Sequence, residues 1–98
     1  MTTPTSSLSS DQRRQLRARA RTLKARHRIG KAGLNEHLQG VLERDFRRND
    51  LVKVRLERCM MAQADELGQQ LKERCSCHLI QRVGRVLVLY RGGLREQE

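Results

Sequence analysis

Two glycines enclose a lysine and an alanine in the segment Gly30-Lys31-Ala32-Gly33, and a run with helical character begins soon after it. Glycine has no Cβ atom, so its backbone can approach a bulky phosphate closely and can adopt a positive φ. The N–H groups and the positive dipole end of the following helix favour an anion, and Lys31 adds a full charge. The segment therefore predicts a phosphate-binding loop of the GxxG type, which clamps a nucleic-acid backbone.

This loop does not fit the common nucleotide-binding motifs. A Walker P-loop needs an earlier glycine and a Ser or Thr after its Gly-Lys pair, whereas this chain has Ala25 and Ala32 at those positions. The dinucleotide fingerprint needs a third glycine and a long preceding strand. We therefore expect no nucleotide hydrolysis, no cofactor and no small-molecule substrate.

A second group of basic residues precedes the loop. Leu16, Ala20 and Leu23 form a narrow apolar stripe at helical spacing. The adjacent helical face carries only basic side chains, namely Arg13, Arg14, Arg17, Arg21 and Lys24. Like charges at i, i+4 destabilise a helix by a few tenths of a kcal/mol each, so a face of one sign favours contact with an anion.

The whole chain is strongly basic, with 21 Lys and Arg against 11 Asp and Glu among 98 residues, a net charge of +10. Such a charge indicates an anionic partner, either nucleic acid or an acidic membrane surface. No apolar stretch approaches the roughly 20 residues of a membrane span, no signal-peptide hydrophobic region is present, and the stripe of the first helix is too thin for stable insertion. We expect a soluble, cytoplasmic protein that binds nucleic acid.

The elements that position these residues follow from caps and periodicity. Ser9 and Gln12 have capping-box spacing, which predicts the start of the first helix. A short extended stretch at 27–29 leads into the glycines, and Asn35 is a good N-cap for the second helix. Residues 51–56 alternate as a half-buried strand, with Lys53 and Arg55 facing outward.

The remaining elements are a helix and a hairpin. Apolar residues at helical spacing predict a third helix from about 60 to 74, and two β-rich runs around Gly84 predict a tight antiparallel hairpin whose last strand is central. The order α-β-α-β-α-β-β predicts an α/β two-layer sandwich: a small four-stranded mixed sheet, helices on one face, and the other face open and partly basic. We expect one domain over residues 8–91, a disordered tail at 1–7 and a flexible tail at 92–98.

Metal binding and catalysis are not indicated. Cys59, Cys75 and Cys77 include no CxxC pair, and no second ligand cluster could complete a zinc site. His27, His37 and His78 lie in different elements, and none neighbours a convincing carboxylate pair of the kind that acid–base chemistry requires. The chain is therefore predicted to be no enzyme and to bind no metal, and cleavage of bound RNA would indicate the rival class, a nuclease.

Only Phe46 and Tyr90 are aromatic, and both lie in apolar patterns that predict burial. Readers of single-stranded RNA stack bases on exposed aromatic rings. This chain is therefore expected to recognise the backbone and shape of structured RNA. Duplex DNA is the rival ligand, although the basic helix offers almost only arginines, with no Asn or Ser to read adenine.

Several segments, Leu8-Ser9, IGKAGL (29–34), LVKV (51–54) and VGRVLVLYR (83–91), together resemble the CRM domain, the chloroplast-RNA-splicing and ribosome-maturation module, and in particular its bacterial single-domain YhbY type. The resemblance covers about residues 8–91. It implies a fold similar to the C-terminal domain of translation initiation factor three. It also implies RNA binding through the GxxG loop and a basic surface on the first helix and nearby strands, and an association of bacterial members with precursors of the large ribosomal subunit.

The chain is accordingly predicted to be a monomeric RNA-binding protein that contacts 23S rRNA in precursor large subunits as an assembly factor. The alternative is a general nucleic-acid-binding protein, for DNA or other structured RNA, without a ribosomal role. The predicted interface consists of Gly30, Lys31, Ala32, Gly33, Arg13, Arg14, Arg17, Arg21, Lys24, Arg28, Lys53 and Arg55.

Overall fold

A computed structural model describes residues 8–91, so the tails predicted at 1–7 and 92–98 lie outside the described residues. The elements follow the predicted order. They are α1 (Ser10–Ala20), β1 (His27–Ile29), α2 (Glu36–Arg48), β2 (Leu51–Leu56), a 3₁₀ helix (Arg58–Gln63), α3 (Ala64–Cys75), β3 (His78–Val83) and β4 (Val86–Tyr90). The predicted third helix is thus two elements, since its first turns are 3₁₀ and the α-helix begins only at Ala64.

Both predicted helix starts are confirmed by their caps. The Ser9 side chain accepts a hydrogen bond from the Gln12 N–H, and the Gln12 side chain accepts one from the Ser9 N–H. The Asn35 side chain accepts a hydrogen bond from the Leu38 N–H at 2.9 Å. Each cap satisfies backbone donors that have no partner within their helix, so local sequence alone fixes where α1 and α2 begin.

The sheet is mixed and four-stranded, as predicted, in the order β1-β2-β4-β3. β1 runs parallel to β2, and β4 is antiparallel to both of its neighbours, β2 and β3. The β3–β4 hairpin turns through Gly84 and Arg85, with Gly84 at φ +58°, which fits a type II′ turn with glycine at its first central position. β4 lies in the interior of the sheet, where its nearly continuous apolar sequence is expected.

The predicted placement of all helices on one face is corrected. α2 and α3 pack on one face of the sheet, whereas Leu16 and Ala20 of α1 pack on the opposite face against Leu51, Ile80 and Val88. The reason lies in the strands, because β2 begins with two successive buried residues and β4 is apolar on both sides. Since successive strand residues point to opposite faces, these strands need a cover on each side.

The larger core lies between the sheet and α2/α3, where Phe46 is fully buried. Polar contacts join β1 to α2 at its margin: His27 Nε2 lies 2.6 Å from Asp45 Oδ2, and the Asn49 amide donates to Asp45 Oδ1 at 2.7 Å. Burial acts to raise the pKa of the Asp45 carboxyl, but the hydrogen bonds from His27 and Asn49 outweigh it, so this pKa lies below its ordinary value. The contact between His27 and Asp45 thus fixes β1, the strand before the glycine loop, to α2.

Candidate nucleic-acid interface

The GxxG segment forms an exposed turn between β1 and α2. The Gly33 N–H donates to the Gly30 carbonyl at 2.8 Å and closes the turn, and Lys31 and Ala32 are exposed at its crest. Gly33 has φ +69°, a conformation that glycine adopts without the Cβ penalty of other residues. Since α2 begins three residues later, the turn lies beside the positive end of its dipole.

Gly30 is in contact with a carboxylate. A Cβ atom at position 30 would lie 2.8 Å from Glu57 Oε1 and 3.0 Å from Glu57 Cδ. The Glu57 N–H also donates to the Ile29 carbonyl at 3.0 Å, which fixes its backbone beside the loop. The absence of a side chain at position 30 therefore has a packing reason that sequence did not show. A phosphate that reaches Gly30 from this side must displace the exposed Glu57 side chain.

The two loop glycines should differ in what an added methyl group does to stability. Gly33→Ala should lower the free energy of unfolding by about 1–2 kcal/mol, because its left-handed conformation penalises a Cβ. Gly30→Ala should lower it by less, because the Glu57 carboxylate is the free end of a flexible side chain and can swing away. Urea unfolding measures both values.

Gly40 provides the matched control for these variants. It lies inside α2, and an added Cβ would have no atom within 4 Å beyond its chain neighbours and the backbone of its own helix, so Gly40→Ala should raise stability by roughly 0.5–1 kcal/mol. A Gly33→Ala protein as stable as the unmodified chain would contradict the left-handed conformation of Gly33 in the turn.

Arg28 and Arg55 lie side by side on the sheet face that α1 covers only in part. They are register partners in β1 and β2, and both are exposed. Their direction follows from their neighbours, since Ile29, Val54 and Leu56 all enter the α2/α3 core on the opposite face. Paired strand residues are close neighbours, at the strand spacing of about 4.8 Å. Two adjacent strands thus each carry a guanidinium group near the end from which β1 enters the glycine turn.

Arg17 and Arg21 of α1 border the uncovered part of the same face. A groove of about 380 Å³ lies beside the contact between α1 and the sheet; it is lined by Arg17, Ala20, Arg21, Lys53, Gln81, Val83, Val86 and Val88. Its floor is apolar, with Val83 55% exposed, and it includes no carboxylate. The groove therefore has basic walls and an apolar floor.

The other basic residues predicted on α1 do not share this groove. Arg13 lies by another hollow, beside His78 and Lys72; burial first, and then the positive charges of Arg13 and Lys72, lower the pKa of His78. Arg14 pairs with Asp11 at 3.1 Å on the solvent side. Lys24 follows the helix and lines a small hollow near the start of β2. The basic side chains that sequence placed on one helical face thus lie at several separate sites on the surface of the protein.

Lys53, which sequence predicted to face outward, does lie on the α1 side, but its ammonium group is used within the fold. Its Nζ donates to the carbonyls of Ala20 and Leu23 at 2.9 and 3.0 Å. These carbonyls belong to the end of α1 and the residues just after it, where a positive charge is favoured by the helix dipole. The structure gives Lys53 the role of anchoring α1 to β2, and an RNA contact by Lys53 stays a prediction.

Lys53→Met should separate these two roles. The substitution keeps an unbranched apolar stem and removes both hydrogen bonds, so the free energy of unfolding should fall by roughly 1–3 kcal/mol. The salt dependence of RNA affinity should change little if Lys53 contacts no phosphate. A stable variant whose slope of log affinity against log salt concentration is shallower by about 1 would instead assign Lys53 to the RNA.

Two further arginines lie at the loop end of the sheet and were not predicted. The Leu56 N–H donates to the Arg85 carbonyl at 2.6 Å, which places the hairpin turn beside the end of β2. Arg58 starts the 3₁₀ helix directly after Glu57. Sequence identified the hairpin from Gly84 but gave no sign that its turn and the glycine loop lie at the same end of the sheet.

Both aromatic side chains are engaged within the fold. Phe46 is fully buried. Tyr90 is half-buried; it packs against the apolar cluster beneath α1, and its ring centroid lies 6.2 Å from that of His78.

The two buried cysteines are not reactive. Burial raises the pKa of Cys75 to about 11 and that of Cys77 to about 12, so both thiols are protonated and unreactive at neutral pH. Within residues 8–91, no cluster of three or more His, Cys, Asp or Glu side chains could hold a metal ion.

The fold and the site define a small α/β domain whose basic groove and exposed glycine turn suit an extended polyanion. None of the helices between residues 8 and 91 is long and apolar enough to cross a bilayer. The sequence profile of the CRS1 / YhbY (CRM) domain matches residues 8–91, and the chain belongs to this family.

Among solved structures, the chain is similar to the solution structure of the hypothetical protein SAV1595 from Staphylococcus aureus, described as "a putative RNA binding protein". The two share 29% sequence identity with a TM-score of 0.74, over 87% of this chain and 88% of that one. No curated protein matches the chain at a significant level.

Proposed function

We propose that this protein binds structured RNA through the phosphate backbone, without catalysing a reaction on it. The observation that carries the proposal is the joint placement of Arg17, Arg21, Arg28 and Arg55 around the uncovered part of one sheet face. Membership of the CRM family, an RNA-binding domain, and the similarity to SAV1595 both support it.

The mode of binding follows from what the surface offers. Arginine presents a planar fork of donors that matches phosphate oxygens, and the exposed turn adds the Lys31 ammonium group and the backbone of two glycines. Neither aromatic ring is free to stack on bases. The contacts therefore read the path of the backbone, which suits folded RNA whose phosphates are already arranged.

We further propose that the RNA is 23S rRNA and that the protein acts in the cytoplasm, as a monomer, in assembly of the large ribosomal subunit. This step is supported by the resemblance to bacterial single-domain CRM proteins. Sedimentation of cell extract through a sucrose gradient at low salt tests it. The protein should migrate with precursors of the large subunit, and migration only with free protein would contradict the ribosomal role.

A competition experiment distinguishes this function from general nucleic-acid binding. Fragments of 23S rRNA and duplex DNA of equal length compete for the protein at matched salt, and the rRNA should win by at least tenfold. Equal competition would favour the general binder. Bound RNA should be recovered intact, whereas its cleavage would indicate a nuclease.

A further inference from the structure

A second basic cluster lies outside the groove, on α2 and the segment before β1. Arg44 and Arg48 are one helical turn apart, and Arg26 joins them around a hollow of about 350 Å³. Arg47 is exposed on the neighbouring position of the same side of α2. The proposed function uses none of these residues. We name Arg26, Arg44 and Arg48 the α2 patch.

The fold compensates the charge of the α2 patch only in part, through the attraction between Arg26 and Asp45. Within residues 8–91, none of the three makes an ion pair or a side-chain hydrogen bond. The carboxylate in the hollow, Asp45, is already bonded to His27 and Asn49. Cations in the last turn of a helix stabilise its dipole, which accounts for Arg48, and the positive charge of Arg26 helps to lower the pKa of Asp45. Arg44 has neither role.

The α2 patch and the groove lie on opposite faces of the sheet. α1 and α2 cover opposite faces of the sheet, and β1 is the edge strand between them. Along this edge, Arg28 points to the α1 face, while His27 points to α2 and lines the hollow of the patch. The two basic surfaces therefore point away from each other, one on each face of the sheet.

The chemistry of the α2 patch favours phosphate over an acidic protein. Protein interfaces have an apolar, desolvated centre surrounded by a polar rim. Here Val41 is the one apolar residue that lines the hollow. Paired guanidinium groups one helical turn apart and without an apolar centre suit the repeated charges of a nucleic-acid backbone.

We propose that the α2 patch is a second RNA-binding surface, so that one protein molecule holds two RNA segments on opposite faces of the sheet. This inference rests on the proposed function, because it assigns RNA as the ligand of the first surface. A domain that grips two segments can fix their relative position, which neither surface achieves alone.

The test counts the RNA molecules bound to each protein. A short RNA hairpin, with a stem shorter than the 35 Å longest extent of the protein, is titrated at about 50 mM salt and complexes are sized by sedimentation velocity. The unmodified chain should bind two hairpins, and Arg44→Gln/Arg48→Gln only one. Lys72→Gln/Arg82→Gln removes the same charge from α3 and β3, on the far side of the sheet from β1, and should still bind two.

The outcomes separate this inference from the proposed function. Binding of one hairpin by the unmodified chain, or of two by the α2 patch variant with unchanged affinity, overturns the second surface and leaves the first intact. Equal losses in both variants reduce the effect to net charge and also overturn it. Absence of any hairpin binding overturns the proposed function itself. Poly-glutamate is tested in the same way. If Arg44→Gln/Arg48→Gln abolishes binding of poly-glutamate but leaves the number of bound hairpins unchanged, the ligand of the patch is an acidic protein and the inference is wrong.

Discussion

Arg17→Glu/Arg21→Glu should lower the affinity for structured RNA by about 100-fold or more at moderate salt. Both side chains border the groove, and within residues 8–91 neither has a carboxylate partner. A hydrogen bond to a charged group contributes about 1.5–3 kcal/mol, and reversal adds repulsion from phosphate to the loss of two such bonds. Fluorescence anisotropy with a labelled rRNA fragment measures the change.

Two companion variants keep this result interpretable. Acidic residues near the end of α1 oppose its dipole by about 0.3–1 kcal/mol each, so Arg17→Gln/Arg21→Gln should stay more stable. It should also lose less affinity than the charge reversal, because a glutamine amide can still donate a neutral hydrogen bond to phosphate. Lys72→Glu/Arg82→Glu changes the net charge equally on the α3 side of the sheet and should retain most of the binding. If the two charge reversals weaken binding equally, the groove has no special role.

Periodicity predicted most of the sheet, because burial imposes a pattern that depends on the strand alone. The alternation of β2 and the apolar run of β4 gave both strands and the central position of β4. The face on which α1 packs could not be obtained this way. The apolar stripe of Leu16 and Ala20 predicts that one side of α1 is buried, but it does not indicate against which face of the sheet.

The candidate site shows the same limit at the level of single residues. Sequence placed Lys53 and Arg55 on one face of β2, and both do lie there. It could not show that the end of α1 reaches Lys53 and engages its ammonium group, while Arg55 stays exposed. The contact of Glu57 with Gly30 was equally hidden, since these residues meet only when β1 and β2 pair. Such contacts depend on tertiary structure, and no local pattern encodes them.

The largest expected effect is that of salt on RNA affinity. The first surface comprises the groove, the glycine turn and the strand ends beside that turn. Its basic residues are Arg17, Arg21, Arg28, Lys31, Arg55 and Arg85. Each phosphate that such a group neutralises releases counterions and contributes about 0.7–0.9 to the slope of log affinity against log salt concentration. If all of them engage, affinity should fall roughly 10³-fold between 50 and 200 mM monovalent salt, and further if the α2 patch is occupied at the same time.

The salt slope also tests the mechanism more strictly than affinity does, because it counts phosphate contacts. Anisotropy titrations at fixed Mg²⁺ and four or more salt concentrations give the slope for each protein. Arg17→Gln/Arg21→Gln should make it shallower by about 2, one for each lost contact, while Lys72→Gln/Arg82→Gln should leave it unchanged. A slope near zero in the unmodified chain would show that RNA is held by contacts other than phosphate. The basic groove would then need another ligand, since its arginines have no counterion within the described fold.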